Sequence, residues 1–284
     1  MIRFFPFIFV ILWSSAFITT KPITNNSDPF SALAFRFLIV AIGFFIYSIY
    51  KKERIIIKKK FLLDSLSTGI LFHGIYLGGV FFAVSRGLPT GVVALIVTLQ
   101  PILTNILASP ILNEKISLNQ WIGTILGFFG AFLVLGFDIG TTLPVIGLVS
   151  AFIALISVTS ATLWQKKLSN NLPLSINNMY QAIGGCLFNI LLVFIIGKPF
   201  IDFSLTFLIA ISHQIFLISF GAFTILMYMI KRNSASKTVT LFFLIPPTTA
   251  LMAFLFLNEQ LSSYDLIGFL IASVGVFIAT RQVK

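Results

Sequence analysis

The sequence predicts an all-α membrane protein whose ten transmembrane helices form two inverted-topology five-helix repeats. Three observations support this prediction. The chain is 58% hydrophobic and only 10% charged, which is far from the balance found in soluble domains. Its apolar residues fall into ten stretches of membrane-spanning length. The middle and the last third of the chain also share a sequence pattern at a constant spacing.

Each predicted span is an apolar stretch close to the ~20 residues that cross a bilayer as a helix. The ten stretches are 4–20, 31–50, 64–85, 91–112, 118–137, 145–165, 177–197, 205–230, 236–257 and 264–281. The links between them are short, and the longest polar link covers 51–63. The sequence therefore predicts no separate domain outside the membrane.

The internal repeat pairs residues 99–132 with residues 244–277. Without a gap, the two segments agree at 12 of 34 positions at an offset of 145, whereas shared membrane composition gives roughly three agreements. Each half then holds five spans, an odd number, so the second half enters the bilayer in the opposite direction. We expect repeat boundaries of 1–140 and 141–284.

The basic residues of the links predict the orientation. With both termini in the cytoplasm, 15 lysines and arginines lie inside and only Lys21, Arg86 and Lys198 lie outside, which is the bias typical of inner-membrane proteins. The cluster in 51–60 also fits a polybasic lipid contact, although a topology signal explains it. Heavy use of Ile, Phe, Asn and Lys indicates an AT-rich bacterial genome. We therefore expect a multi-pass protein of the bacterial cytoplasmic membrane.

Several kinds of site are missing from the sequence. The single cysteine, Cys186, excludes a disulfide framework and paired-cysteine metal or redox sites. No P-loop, GxSxG or HExxH motif is present. The net charge of +11 follows from the topology bias, so it does not indicate nucleic-acid binding. We expect no metal, no cofactor, no nucleic-acid partner and no enzymatic activity; a lipid-modifying enzyme is the weaker alternative.

Pro101 and Pro246 occupy matched positions near the centres of spans four and nine. Proline lacks an N–H and clashes with the preceding turn, so each one breaks its helix. Such breaks in a membrane are tolerated beside a water-filled cavity or a neighbouring helix. The matched placement favours a pair of hinges, and a fixed packing kink is the alternative.

Four charged residues are candidates for a functional role. Arg36, in span two, has two interpretations: it attracts an anionic group, or it pairs with the carbonyl end of another helix. Glu114 and Glu259 end the two matched helices on opposite faces of the membrane. They either hold a gate by a salt bridge or make structural turn contacts, and we favour the second. Lys21 follows the first span.

The candidate cavity-lining residues are aromatic, amide and imidazole side chains near mid-span. They are Trp13, Phe17, His73, Tyr76, Gln100 and Tyr228. His73 is either a proton relay or ligand, or a hydrogen-bonded packing residue. No Asp or Glu lies in the central part of a predicted span, so proton coupling would have to use His73 or an acid near the surface.

Small residues at helical spacing recur in spans five and ten. Gly123, Gly127 and Gly130 match Gly268, Ala272 and Gly275. Such faces let helix backbones approach closely. They predict packing within the fold or between two copies, so a homodimer is one of the two alternatives.

The ordered set of motifs resembles the drug/metabolite transporter superfamily, in particular its EamA-type ten-helix branch. The resemblance rests on Trp13-Ser14-Ser15-x-Phe17 followed by Lys21, on Pro29 and Ala34-Phe35-Arg36-Phe37, and on Pro101, Leu112-Asn113-Glu114, Gly123 and Gly130 with their second copies. Ser14 stands where the family usually has glycine, and Gln181 takes the place of a second Arg36. The resemblance implies a helix bundle around a central cavity that opens alternately to the two sides.

These observations together predict a secondary transporter. Its substrate would be a small organic metabolite, such as an amino-acid-like, nucleoside-like or drug-like solute, moved by alternating access. The alternative is a passive facilitator or channel on the same fold. The partners expected are the small-molecule substrate and the lipid bilayer.

Overall fold

A computed structural model describes residues 4–53, 55, 58–135, 143–168, 172–257 and 263–281. Within these ranges the secondary structure is helical, apart from one isolated bridge between Ser27 and Ile201. The helices are α1 (Phe5–Asn26), α2 (Pro29–Tyr50), α3 (Lys59–Ser85), α4 (Thr90–Val97 and Gln100–Leu112), α5 (Leu118–Leu135), α6 (Val145–Leu168), α7 (Leu174–Ile195), α8 (Leu205–Arg232), α9 (Ala235–Val239, Thr240–Leu244 and Ile245–Leu257) and α10 (Ser263–Thr280).

Eight of the described helices are long and apolar enough to cross a membrane: α1, α2, α3, α4, α6, α7, α8 and α10. Helix α5 is apolar but shorter over Leu118–Val134, and α9 is divided by a 3-10 segment. The all-helical membrane architecture is therefore confirmed in its coarse form. The count of ten spans and their inverted pairing stay predictions.

The helix bounds follow the predicted spans with two clear extensions, at the start of α3 and at the end of α1. Helix α3 begins at Lys59 rather than at residue 64. Helix α1 ends at Asn26 rather than at residue 20, and Pro22 lies inside it. The Asn26 side-chain amide donates to the Pro22 carbonyl over 2.8 Å, so the last turn stays closed beyond the proline. The two central prolines behave differently, because α4 is interrupted at 98–99 and α9 at 240–244. Pro101 and Pro246 are each the second residue of the segment that follows.

Two helices contain π-helical segments, in which the backbone hydrogen bonds reach one residue further than in an α-helix. They are Ile70–Tyr76 in α3 and Gln214–Ala222 in α8. At an offset of 145, residues 70–76 correspond to 215–221, so the two segments coincide in the repeat. Segments of this kind are frequent at functional sites.

Glycines bring two pairs of helices into backbone contact. A Cβ on Gly130 would lie 2.3 Å from the Ala272 nitrogen in α10, and one on Gly184 would lie 2.4 Å from the Leu66 carbonyl oxygen in α3. Only glycine fits such approaches. The predicted small-residue face of α5 thus packs on α10 within the fold.

The corner between α4 and α5 is held by local hydrogen bonds. Asn113 adopts the left-handed conformation with a φ of 55° and ends α4. The backbone N–H of Ser117 donates to Gln120 Oε1 over 3.1 Å, and the backbone N–H of Gln120 donates to Ser117 Oγ over 3.3 Å. This reciprocal pair is a capping box at the start of α5. The second corner, with Asn258, Glu259 and Ser262, lies outside the described residues.

Candidate functional site

A narrow cavity lies in the middle of the bundle, between α1, α2, α3 and α8. Its lining consists of Trp13, Ala16, Phe17, Thr20, Arg36, His73, Tyr76, Leu77, Val80, Phe81, Gln214, Ile218, Ser219 and Phe223. The cavity volume is about 40 Å³. Since one water needs roughly 10–15 Å³ of such space, the cavity has room for only a few waters.

Helical spacing explains how α1 and the π segments contribute to this cavity. The α1 side chains come from positions 13, 16, 17 and 20, which share one face of a helix. His73 and Tyr76 lie in the π segment of α3, and Gln214, Ile218 and Ser219 lie in that of α8. The polar groups of the cavity are thus concentrated in the two irregular segments and on Arg36.

Arg36 is the cation of the cavity, and it is only 3% exposed. Its Nε donates to Ser219 Oγ over 2.9 Å, and its Nη1 donates to Gln214 Oε1 over 2.5 Å. The guanidinium carbon lies 5.1 Å from the centre of the Phe37 ring. All these partners are neutral, and no carboxylate of the described chain pairs with Arg36.

Gln214 links Arg36 to the first helix. Its Nε2 donates to the Ala16 carbonyl and to Thr19 Oγ1, each over 2.9 Å. The neighbouring His213 places Nε2 3.0 Å from Ser15 Oγ. The π segment of α8 is therefore fastened to α1 by the same amide that receives the Arg36 hydrogen bond.

The His73 ring lies between two aromatic rings. Its centre is 4.2 Å from that of Phe37 and 4.5 Å from that of Phe223. Nδ1 is buried and has no hydrogen-bond partner within the described part of the chain. A Cβ on Gly185 would lie 2.3 Å from the His73 Cβ, so the glycine of α7 makes room for this side chain.

Five of the sequence-predicted residues thus line one cavity: Trp13, Phe17, Arg36, His73 and Tyr76. Two predicted cavity residues lie elsewhere. Gln100 is buried against α6, where its Nε2 donates to Thr162 Oγ1 over 3.0 Å. Tyr228 lines a separate pocket near Phe5 and Arg232 at the end of α8. Helix α4 contributes no described residue to the lining of the Arg36 cavity, and Tyr228 lies further along α8 than its last lining residue, Phe223.

The other charge candidates lie at the helix ends. Lys21 lines a pocket with residues that include Asn25 and Leu88. The Glu114 carboxylate accepts from the backbone N–H of Ala235 over 2.7 Å and from the Ser236 hydroxyl over 2.5 Å. Glu114 therefore caps the start of α9, which favours the structural interpretation. Glu259 lies outside the described residues.

The proline break of α9 is joined to α1. The Ser14 hydroxyl donates to the Ile245 carbonyl over 3.2 Å, and the Thr249 hydroxyl donates to the Ser14 carbonyl over 3.3 Å. At the break of α4, the Thr98 hydroxyl donates to the Ala94 carbonyl over 2.6 Å. Neither Pro101 nor Pro246 lines the Arg36 cavity. The two helix breaks are therefore not part of the cavity lining, and hydroxyl groups stabilise them.

Sequence reasoning missed most of the α8 contribution. Gln214, Ser219 and Phe223 were not singled out, nor were Thr20 and Phe81. One signal was present: His213 and Gln214 are consecutive polar residues inside an apolar span, and such residues in a membrane are functional candidates. No sequence pattern distinguishes the cavity-lining Phe81 and Phe223 from the other phenylalanines, of which the chain has 33 in all.

A second, larger groove of about 730 Å³ lies between α1, α9 and α10 and is lined mainly by apolar residues. None of the predicted site residues lines it. Over the ranges that the structure covers, no three His, Cys, Asp or Glu side chains come together as metal ligands. The Arg36 cavity is therefore the candidate site, because it combines a buried cation with buried polar and aromatic side chains.

The chain is similar to known transporters over nearly its whole length. The profile of the EamA-like transporter family matches residues 2–136 and 145–281. The "Uncharacterized transporter YvbV" of Bacillus subtilis (strain 168) is 26% identical over 286 residues, covering 97% of this chain and 90% of that protein. "Protein PecM" of Dickeya dadantii (strain 3937) is 28% identical over 235 residues, covering 79% of this chain and 76% of that protein.

A solved crystal structure shares the fold. It superposes with a TM-score of 0.80 at 17% identity and covers 98% of this chain, which in turn covers 97% of it. The family and the relative from Bacillus subtilis carry the names of transporters rather than of enzymes. The apolar helices and the family matches agree with the predicted resemblance, and the chain belongs to the EamA-like transporter family.

Proposed function

We propose that the protein is a secondary transporter that moves a small organic solute by alternating access through the Arg36 cavity. The observation that carries this proposal is the cavity itself. It is central, narrow, and lined by aromatic side chains together with a few buried polar groups, which is the composition of small-molecule sites. Such a site near the middle of the bilayer suits a carrier.

Helix packing supports two inverted repeats, with boundaries of 1–140 and 141–284. Helix α1 packs on α9, and α6 packs on α4; under the offset of 145 these two pairs are equivalent. The self-equivalent pairs α2 with α7 and α5 with α10 make the most extensive contacts. This is the pattern expected around a pseudo-two-fold axis.

The proposed movement follows from the size of the cavity. A space of about 40 Å³ is too small for a metabolite, since ligand pockets measure roughly 300–1,000 Å³. Helices must therefore separate to admit a solute. The breaks at 98–99 and 240–244 interrupt the backbone hydrogen bonds of α4 and α9, so bending there costs less than bending an intact helix. Pro101 and Pro246 are the proposed hinges.

The orientation proposed is that of the loop charges, with both termini in the cytoplasm of a bacterial cell. The links at 51–53 and 231–233 lie at the bundle end where α1 begins and α10 ends, and they carry Lys51, Lys52, Lys231 and Arg232. The links at the opposite end carry Arg86 and Lys198. This asymmetry agrees with the positive-inside rule.

Counterflow in proteoliposomes tests the proposal. The purified full-length protein is reconstituted, the vesicles are loaded with each member of a metabolite panel, and entry of the labelled solute is followed with and without a pH gradient. A carrier gives saturable uptake and transient accumulation driven by internal solute. A passive facilitator, the second candidate, gives equilibration without counterflow. Absence of solute movement above protein-free vesicles for the whole panel would contradict both.

A further inference from the structure

We infer that the substrate is an organic monocarboxylate with an apolar body, and that Arg36 binds its carboxylate. This inference rests on the proposed transport function and specifies the substrate class. It starts from the charge of the cavity. Arg36 is 3% exposed and donates only to the neutral oxygens of Gln214 and Ser219. A guanidinium remains charged at any physiological pH, and a buried charge without a counter-charge is costly.

The guanidinium has unused hydrogen-bonding capacity. Of its five N–H donors, two are engaged, one on Nε and one on Nη1. No described residue accepts a hydrogen bond from Nη2. A carboxylate binds a guanidinium through two parallel hydrogen bonds, so one carboxylate would engage two of the three remaining donors and neutralise the charge.

The rest of the lining excludes other charge types. Among the described residues, this lining contains no Asp or Glu, and its other ionisable side chains are His73 and Tyr76. The ammonium group of an amine or of an amino-acid zwitterion would therefore lie beside Arg36 without a counter-charge. A phosphate dianion would bring two negative charges to one arginine. The balance of charge favours a single negative charge on the solute.

The apolar lining specifies the remainder of the solute. Trp13, Phe17, Phe81 and Phe223 face the cavity together with Leu77, Val80 and Ile218. Polar hydroxyls or amides on the solute would lose their water without gaining partners there. An aromatic or aliphatic body fits this surface, with its carboxylate directed to α2 and α8.

The test measures thermal stability of the full-length protein in detergent against a matched panel. Each of four scaffolds, phenyl, indolyl, isobutyl and n-propyl, is supplied as acid, amide, amine and amino acid. We expect acids to raise the unfolding temperature of the wild-type protein, with amides, amines and amino acids weaker. The inference is overturned if no acid stabilises the protein, or if the amide, amine or amino acid of a scaffold equals its acid.

Variants separate anion binding from a merely structural role of Arg36 in fixing the π segment. Gln214→Glu places a carboxylate against Arg36 and loses the Nε2 hydrogen bond to the Ala16 carbonyl, so its unfolding temperature without ligand is measured first. In the folded variant, affinity for the acids should fall on the order of 100-fold. Arg36→Gln should lose the same response, and Arg86→Gln at the surface should keep it. An acid response in Gln214→Glu equal to that of the wild type would refute the inference.

Counterflow distinguishes a failure of the monocarboxylate inference from a failure of the proposed transport function. Equal counterflow of a neutral solute in the wild type and in Arg36→Gln would leave transport intact and refute the monocarboxylate. Stabilisation by acids that depends on Arg36, without counterflow of any acid, would keep the anion site and refute the carrier.

Discussion

Gly123 of α5 lies against Gly275 of α10, such that a Cβ on Gly123 would come within 2.4 Å of the Gly275 carbonyl oxygen. The reciprocal contact joins Gly130 to Gly268, with the corresponding distance at 2.6 Å. Under the offset of 145, Gly268 is the counterpart of Gly123, and Gly275 is the counterpart of Gly130. Each glycine thus meets the counterpart of the other, as a two-fold axis requires.

We expect Gly130→Ala to destabilise the protein by about 1–3 kcal/mol, the usual cost of overpacking, because its Cβ would lie 2.3 Å from a backbone nitrogen. Thermal unfolding in detergent measures the effect. Gly78→Ala is the matched control, since the nearest atoms to its Cβ would be Phe30 Cε1 at 3.4 Å and Asn189 Oδ1 at 3.5 Å, both on side chains. Equal stability of the two variants would show that the α5–α10 crossing relaxes freely.

Pro101→Ala and Pro246→Ala should lower the rate of transport more than the yield of folded protein. Alanine restores the missing N–H and allows a continuous helix, so the bend that opens the cavity becomes more costly. A change of about 1.4 kcal/mol in that barrier lowers the initial rate tenfold. Counterflow rates are normalised to the monodisperse fraction. Parallel losses of rate and of folded protein would assign the prolines to packing.

Glu114→Ala should lower stability by about 1–2 kcal/mol, as expected for the loss of a helix cap. Its carboxylate accepts from Ala235 N–H and from the Ser236 hydroxyl at the start of α9. Lys115→Ala, at the exposed neighbour, is the control. Thermal unfolding and counterflow are measured together. Lost transport at unchanged stability would instead support the gate interpretation of Glu114.

If transport is coupled to protons through His73, His73→Ala should change the pH dependence of the transport rate. The residue lines the cavity, and its Nδ1 has no partner among the described residues. His73→Phe is the informative control, because it keeps a ring between Phe37 and Phe223. Recovery of both rate and pH profile by His73→Phe would identify His73 as a packing residue.

Single-cysteine labelling tests the proposed orientation. Cys186 is buried, and Cys186→Ala provides the background. In intact cells, a membrane-impermeant maleimide should label Lys198→Cys and not Lys52→Cys, and both should react after lysis. The two positions lie at opposite ends of the bundle. Labelling of Lys52→Cys from outside would reverse the orientation derived from the loop charges.

The sequence predicts the helices of this fold and their breaks better than it predicts which face of each helix lines the cavity. Pro101 and Pro246 mark the helix breaks, because a missing N–H has a local effect. Gln100 and Tyr228 could not be placed, since in a uniformly apolar helix the polarity pattern does not separate lipid-facing from cavity-facing positions. The π segments change which residues share one face of α3 and of α8. No sequence pattern in residues 70–76 or 214–222 predicts these segments.

The cavity residues on α1 and α2 could be predicted from the sequence because Trp13 and Arg36 are rare residue types in an apolar chain. Gln214 is also a rare residue type in an apolar span, but the sequence does not show whether it or the neighbouring His213 faces the cavity. Its contact with Arg36 joins residues that are 178 positions apart in the sequence. Such a contact depends on how α2 and α8 pack, which local pattern does not determine. The tertiary packing of α2 and α8 therefore determines that Arg36 meets Gln214, which the residue types alone do not determine.

Under the proposed alternating-access mechanism, the charge of Arg36 would make transport sensitive to the membrane potential. An elementary charge moved through 100 mV changes energy by about 2.3 kcal/mol. An empty site bearing Arg36 carries one positive charge, whereas a site holding a monocarboxylate is neutral. The membrane potential would therefore act on the empty carrier and leave the loaded one unaffected. In a cell that is negative inside, voltage would favour an empty site facing inward, poised to collect solute from the cytoplasm.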